Sequence, residues 1–583
     1  MRLMEPSVQT TPDRPVSARV VVRPTRTPGA AAPAVGRRGW IARREWVFAA
    51  AIALFAVALV EIPYAIAYAQ AANGAVFVGM LWVPTDMAQY IGAMREGAAS
   101  TSWLIHDHLS SEPHPPVLMY TYYVALGKLA GLVAADQRLT YHAAEIASRA
   151  GLVVVGYVLA SELLERPSER RLALILMVFA SGLTALLITV SILVGAELNL
   201  RTVDFHRPEI STFVLLFTAP HFQFGMTLIL LIAFVYARSW RRSSVWNPAL
   251  GAVASMLLGL TNSFSLVPVI ASVGGHAALM VLLRRRLWSG GVATAAAVIG
   301  SALPFVAYSA LVFRADPFWS DTYWRQNFQL SAAPLDLAIG YGAVLLLALV
   351  GVRRYARSLD AGRAVVLVWA ATGLALMYAP LTIQSRFGIG VQPMLAILAA
   401  VGFGVARQTL VGGLLGRLLI GRVLLTVIGV QALFGSSLLL LLAAVQQMSA
   451  PPSPYADSSV YRSAALNEVG RWLAPRIGES EVIVAETLTA NHLAGMTRGR
   501  VYAGHTVATL DYDVKDQEVN AFYSSLIGTR EGRQWLLDRR IRYLVVGPRE
   551  RALREGPIPL DGLPEPAFSN DDYLTIDLSG GAE

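Results

Sequence analysis

The chain has 583 residues and not one is cysteine. Disulfides, thiolate metal sites and cysteine nucleophiles are therefore excluded. Charge is also scarce: Asp, Glu, Lys and Arg together make up 15 % of the residues, against 55 % hydrophobic ones. That balance is not that of a soluble globular domain. Internal repeats are not evident. The polar C-terminal part has no G-x-G-x-x-G or G-x-x-x-x-G-K-[ST] pattern, so a nucleotide site has no support there.

What the chain has is long apolar runs. The clearest are 47–69, 172–195, 289–313 and 423–446, each long enough to cross a hydrocarbon core. The net charge of +9 does not point to nucleic acid, because the arginines sit in short loops between apolar runs, where orientation signals belong. Residues 1–45 are rich in Pro, Ala and Arg without periodicity, and a disordered, basic cytoplasmic tail is expected there. Ala67-Tyr68-Ala69 has the look of a signal-peptidase site. The preceding tail is much longer than a normal n-region, so the first helix is expected to be retained.

Arginine clusters at 37–44, 166–171, 238–242, 284–286, 353–357, 407 and 417–422 fix a topology when all are placed in the cytoplasm. A polytopic α-helical membrane protein with about eleven spans follows, over residues 46–448. The spans run at about 47–69, 143–163, 172–195, 212–236, 249–266, 267–283, 289–313, 334–352, 363–381, 389–406 and 419–446. Residues 70–141 form a first outer loop. Within it, 117–135 reads as a helix lying in the outer interface, with Tyr120, Tyr122 and Tyr123 at headgroup level and Lys128 snorkelling. If 117–135 spanned, the arginines at 166–171 would fall outside. Residues 449–583 read as a small extracytoplasmic α/β domain, with strands at 480–485, 541–547 and 573–578 and helices at 458–474 and 514–527.

This topology sorts the polar residues. Three acids and three histidines crowd the first outer loop: Asp86, then His106-Asp107-His108, then Glu112-Pro113-His114-Pro115-Pro116. Asp86 suits an N-cap of the helix that follows, or a base within reach of an acceptor hydroxyl. Glu112 and His114 stand on a proline-stiffened stretch, suited to substrate contact or to a solvated surface. His106-Asp107-His108 fits either a cation site or a surface strand. A second outer cluster holds Asp204, His206, Glu209 and His221, and His221 also fits simple packing. Asp316 and Arg325 form a third. Arg386 stands alone among apolar spans, where a planar, permanently charged guanidinium suits a phosphate or a lipid headgroup.

Together these features resemble the GT-C superfamily of membrane glycosyltransferases, in particular the bacterial relatives like protein O-mannosyltransferase and aminoarabinose transferase. The matching elements are Asp86 soon after the first helix, the outer loop with Pro115-Pro116 and the Tyr/Leu/Gly run to Gly127, Arg149 in the second helix, and an outward C-terminal domain. The resemblance implies transfer of a sugar, with inversion, from a polyprenyl-phosphate carrier to a glycan, lipid or protein acceptor at the extracytoplasmic face of a bacterial inner membrane. It implies Asp86 as base, with Glu112, His114, Glu209, His221, Arg386 and Arg149 as substrate contacts. Many members carry two acids at the first-loop position. This chain has Thr85-Asp86-Met87, which counts against a metal and leaves a divalent cation as an open question. Two rivals from other classes are a transporter or lipid flippase, and a non-catalytic lipid- or glycan-binding member of the same fold.

Overall fold

The computed structural model describes residues 41–71, 75–195, 203–284, 289–412, 419–449 and 458–579. The N-terminal tail expected to be disordered lies outside them up to residue 40. The chain separates into two units, Met1–Arg43 and Arg44–Glu583, and the helices and sheet described below belong to the second.

Among the described residues, seven helices are long and apolar enough to cross a membrane, and two bent pairs of helices pass the same test as single spans. Two further apolar helices, Trp246–Thr261 and Ala361–Leu376, have sixteen residues each. These segments fall on the stretches expected from the apolar runs, and among the described residues seven to nine of them are long and apolar enough to cross. Their outer faces carry Leu54, Ile192, Leu193, Leu303 and Leu346 at more than half exposure, as lipid-facing helices do. The chain is a multi-pass membrane protein.

Two breaks and one shifted boundary are among the departures from the expected single rods. The run 172–195 is Pro167–Phe179 followed by Thr184–Val194, bent by 57°. Asp204 is buried at this break and accepts hydrogen bonds from the hydroxyls of Thr184 and Ser436. The run 212–236 divides into Thr212–Phe217 and Pro220–Ser239. Pro220 cannot continue a helix but is well placed in a first turn. The carbonyls freed by the break, those of Leu215, Leu216 and Thr218, are all taken by the Gln223 amide. The expected boundary at 266/267 lies earlier, at Asn262–Ser265.

Residues 117–135 contribute a helix of twelve residues, Thr121–Leu132, about 18 Å long and too short to cross. It lies against Met87–Ala99 at glycine distance. A Cβ on Gly127 would stand 1.9 Å from the Met94 carbonyl oxygen, and one on Gly97 would stand 2.4 Å from that of Val124.

The C-terminal α/β domain has a five-stranded sheet in the order Arg500–Val501, Val482–Val484, Ile541–Val546, Leu574–Asp577, Pro566–Ser569. The first three strands are parallel and the last two run antiparallel to their neighbours. Val482, Val484, Leu544 and Val546 bury into one core, and Ile483, Tyr543 and Val545 into the other. Covered on both faces, these strands read as unbroken apolar runs in the sequence. The expected helix 458–474 begins only at Ala464, because Tyr461–Ser463 forms a strand. That strand pairs with Ala75–Phe77, directly after the first span. Further ties follow: the Arg95 guanidinium donates to the carbonyls of Ala494 and Gly495, the Asn491 amide to Thr85, and the Thr509 hydroxyl to Leu109. The first loop and the sheet domain therefore hold each other in register above the helices.

Candidate active site

At this junction lies a cavity of about 480 Å³. Asp86, Glu209, His221 and Arg386 all line it, although they come from four separate stretches of sequence. A fifth residue, His505 of the sheet domain, completes the wall.

Asp86 ends a short 3-10 turn, Pro84–Asp86, and stands at the N-cap of Met87–Ala99. Its side chain caps nothing. Oδ1 lies 3.0 Å from His505 Nε2, and Oδ2 accepts from the Tyr90 hydroxyl at 3.3 Å. The Val507 N–H donates to His505 Nδ1, so that nitrogen is the acceptor and Nε2 carries the proton towards Asp86. The carboxylate is thus held at both oxygens while its side chain remains 21 % exposed. Val83 and Tyr120, also in the lining, adopt left-handed φ values of 49° and 52°. Such values are costly for a β-branched or bulky residue and gather at sites where surrounding structure enforces them.

Arg386, also in the lining, stands in the 3-10 turn Gln384–Gly388. It donates to the Gln326 carbonyl at 3.2 Å, and its guanidinium lies over the rings of Phe264 and Phe222. The nearest carboxylate oxygen, from Glu209, is 4.0 Å away. Arg386 Nε and Glu209 Oε2 are buried with no partner. His221 opens the helix Pro220–Ser239, and the break at Pro220 turns it to the cavity, with Nδ1 2.7 Å from the Tyr123 hydroxyl. Tyr123 continues a stack through Tyr90 and Tyr141.

Glu112, His114 and Arg149 are not brought to this cavity. Glu112 forms an ion pair with Lys515 of the sheet domain and accepts from the Ser110 hydroxyl. Burial would raise its carboxyl, but the Lys515 ammonium outweighs it and holds Glu112 below the usual range. His114 uses both ring nitrogens on backbone, accepting from Asp107 N–H and donating to the Glu112 carbonyl, each at 2.8 Å. Its ring is stacked at 4.0 Å on Phe318, and burial lowers its pKa to about 4. Arg149 is fully buried and saturated: Nε donates to the Leu216 carbonyl, and the terminal nitrogens to Glu61 and Glu145. His106 and His108 turn to Glu96, with His108 Nε2 2.7 Å from its carboxylate. Asp107 is buried, and burial pushes its carboxyl up to about 7. Asp316 caps the helix Pro317–Asn327, and Arg325 pairs with Asp321.

Among the described residues, no group of three or more His, Asp or Glu side chains is placed to hold a metal ion. Asp86 has hydrogen-bond donors for neighbours and no second carboxylate. That donor set suits a lone base better than a cation, and no step below is routed through one.

His505 was not among the residues singled out from the sequence. It follows the carboxyl end of the parallel strand Arg500–Val501, the side of such sheets where ligand-contacting loops gather, but that two-residue strand was not among those read from the sequence.

No family model and no curated protein matches the sequence. Solved structures do. The oligosaccharyltransferase of Archaeoglobus fulgidus, in its apo form, superposes with a TM-score of 0.53 at 10 % identity, covering 87 % of this chain and 70 % of that one. The same enzyme in complex with Zn and sulfate gives 0.51 at 10 % identity, over 85 % and 68 %. The arabinofuranosyltransferase AftD from mycobacteria aligns at 0.49 and 13 % identity, over 93 % of this chain and 42 % of that one. At 10 % identity the likeness is one of architecture: the chain shares the fold of that oligosaccharyltransferase.

Proposed function

We propose that this protein transfers a sugar from a polyprenyl-phosphate carrier to an acceptor hydroxyl at the extracytoplasmic face of a bacterial inner membrane. The observation that carries this reading is the convergence of Asp86 and Arg386 on one cavity, between the apolar bundle and the sheet domain. A carrier with a greasy tail and an anionic head needs such a place, apolar on one side and polar on the other. The fold of glycosyltransferases supports it. The arginine clusters, which fall at the opposite ends of the same helices, support this orientation.

In the proposed step the acceptor oxygen attacks the anomeric carbon from the face opposite the carrier. The new C–O bond forms as the bond from that carbon to the phosphate oxygen breaks. The phosphate leaves with the electron pair, and the acceptor proton passes to a carboxylate oxygen of Asp86. His505 and Tyr90 fix the carboxylate's orientation, so His505 acts as a positioning residue. Arg386 faces the departing phosphate and offsets the charge that grows there. A phosphate of this kind leaves without a strong acid, which fits a site where His221 is already engaged by Tyr123. Glu209, beside Arg386, accepts from sugar hydroxyls in this reading.

The test is transfer of radiolabel from polyprenyl-phosphoryl sugars to endogenous or added acceptors in membranes that contain the protein. Transfer above that of membranes lacking it is expected. No transfer, combined with lipid scrambling in proteoliposomes, would favour a flippase.

A further inference from the structure

The turn between Trp246–Thr261 and the next helix places Asn262 in the cavity lining. Asn262 is 4 % exposed, and neither its amide nitrogen nor its amide oxygen has a partner. The ordinary explanation for an asparagine here is a helix cap. It stands at the N-cap of Ser263–Ser265, yet its side chain makes no cap bond. Its amide packs towards Gly225, one turn along from His221. Two residues on, Phe264 lies under the Arg386 guanidinium at 5.0 Å. Three side chains of this cavity therefore share one condition: Asn262, Glu209 and Arg386 are each at least nine-tenths buried, and each has a polar atom with no partner. Buried polar groups are seldom left so unless something else meets them.

Their chemistries differ in an informative way. Arg386 only donates, Glu209 only accepts, and the Asn262 amide does both. A ligand that satisfies all three presents an anion beside hydroxyl groups. A prenyl chain alone satisfies none. We propose that Asn262, with Glu209, forms the subsite that reads hydroxyls of the carrier-linked sugar, adjoining the phosphate position at Arg386; this rests on the glycosyl-transfer reading above. The amide makes Asn262 a specificity-determining residue for the donor sugar.

The experiment uses the full chain in nanodiscs, with undecaprenyl phosphate and undecaprenyl-phosphoryl glucose, mannose and arabinose as probes. The wild-type protein is expected to bind at least one sugar-bearing lipid more tightly than the bare phosphate. Asn262→Leu is expected to bind the bare phosphate within about 2-fold of wild type and to lose about 5-fold or more of the sugar preference, the worth of one hydrogen bond to a polar ligand group. Its melting temperature is expected not to fall, since no protein group pairs with the amide. Asn262→Ser gives the same ratio if the leucine variant fails to fold. An unchanged sugar preference overturns the subsite and leaves the carrier reading standing. So does an equal loss for both classes of lipid, or unfolding of both variants, because the amide is then part of the phosphate site or of the fold. If wild-type protein binds none of these lipids, the carrier reading fails and the subsite with it.

Discussion

Arg149 and Arg386 are both buried arginines of the helical bundle, and their surroundings are opposite. Arg149 donates to a carbonyl and two carboxylates and lies over the Tyr64 ring. Its partner Glu145 also accepts from Tyr64, and His142 bridges Glu145 and Glu61. Every charge in that cluster is met from within the protein. Arg386 has one carbonyl and two ring faces, and its nearest carboxylate stands 4.0 Å off. A saturated guanidinium ties helices together; an unsaturated one, facing a cavity, is available to a ligand. The arginine-rich ends of the helices repeat the first pattern, with Arg241 on Asp360 and Glu162, and Arg363 on Glu165.

This contrast breaks most sharply under substitution. Arg149→Met leaves Glu61 and Glu145 without their guanidinium, and a loss of about 3–5 kcal/mol is expected, as for other broken buried ion pairs. It should be read as a fall in melting temperature and in the yield of monodisperse protein. Arg386→Gln is expected to leave the melting temperature nearly unchanged while transfer drops about 10²- to 10³-fold, the usual effect of removing one group that stabilises developing charge. If both variants unfold, or both fold and stay active, the two arginines do not differ in the way their contacts say.

His505 sharpens the picture at the Asp86 end of the cavity. Removing the donor in His505→Ala is expected to lower kcat about 10- to 100-fold, with the donor KM within about 2-fold of wild type. His505→Gln, which keeps an N–H donor, is expected to recover part of that loss. Equal kcat in the alanine and glutamine variants would mean that the ring only fills space.

The smallest effect is expected at Glu112. Its pair with Lys515 couples the loop to the sheet domain and is partly exposed, so Glu112→Gln is expected to cost about 1 kcal/mol of stability at neutral pH. Burial lowers Lys515 as well. Glu112 is the more exposed partner, and the carboxylate sets the response to acid. Its folded value lies below the unfolded one of about 4.3, so the contribution is present above that pH and is lost as pH falls through the folded value. Wild type and variant should therefore converge in melting temperature in acid.

Much of the fold was legible because apolar runs and arginine-rich loops are dictated by the bilayer itself. The breaks at Ala180–Leu183 and Thr218–Ala219 were not, because each depends on a distant partner or on local carbonyl rescue: Asp204 and Ser436 in the first case, Gln223 in the second. At the site, Asp86, Glu209, His221 and Arg386 stood out as scarce polar residues in an apolar frame. The same rule also selected Glu112, His114 and Arg149, since sequence displays residue types and not the partners that occupy them. His505 was hidden for the converse reason. It lies 419 residues from Asp86, in a domain where polar side chains are ordinary. Asp86 and Asn262 share a subtler mark: both occupy helix N-caps and cap nothing.

The central claim is that Asp86 takes the acceptor's proton. Asp86→Asn keeps the size of the side chain and an oxygen for His505, while removing the base. Transfer by this variant, purified and matched to wild type in melting temperature, is expected to fall at least about 10²-fold with donor binding retained. Transfer at the wild-type rate would contradict the account.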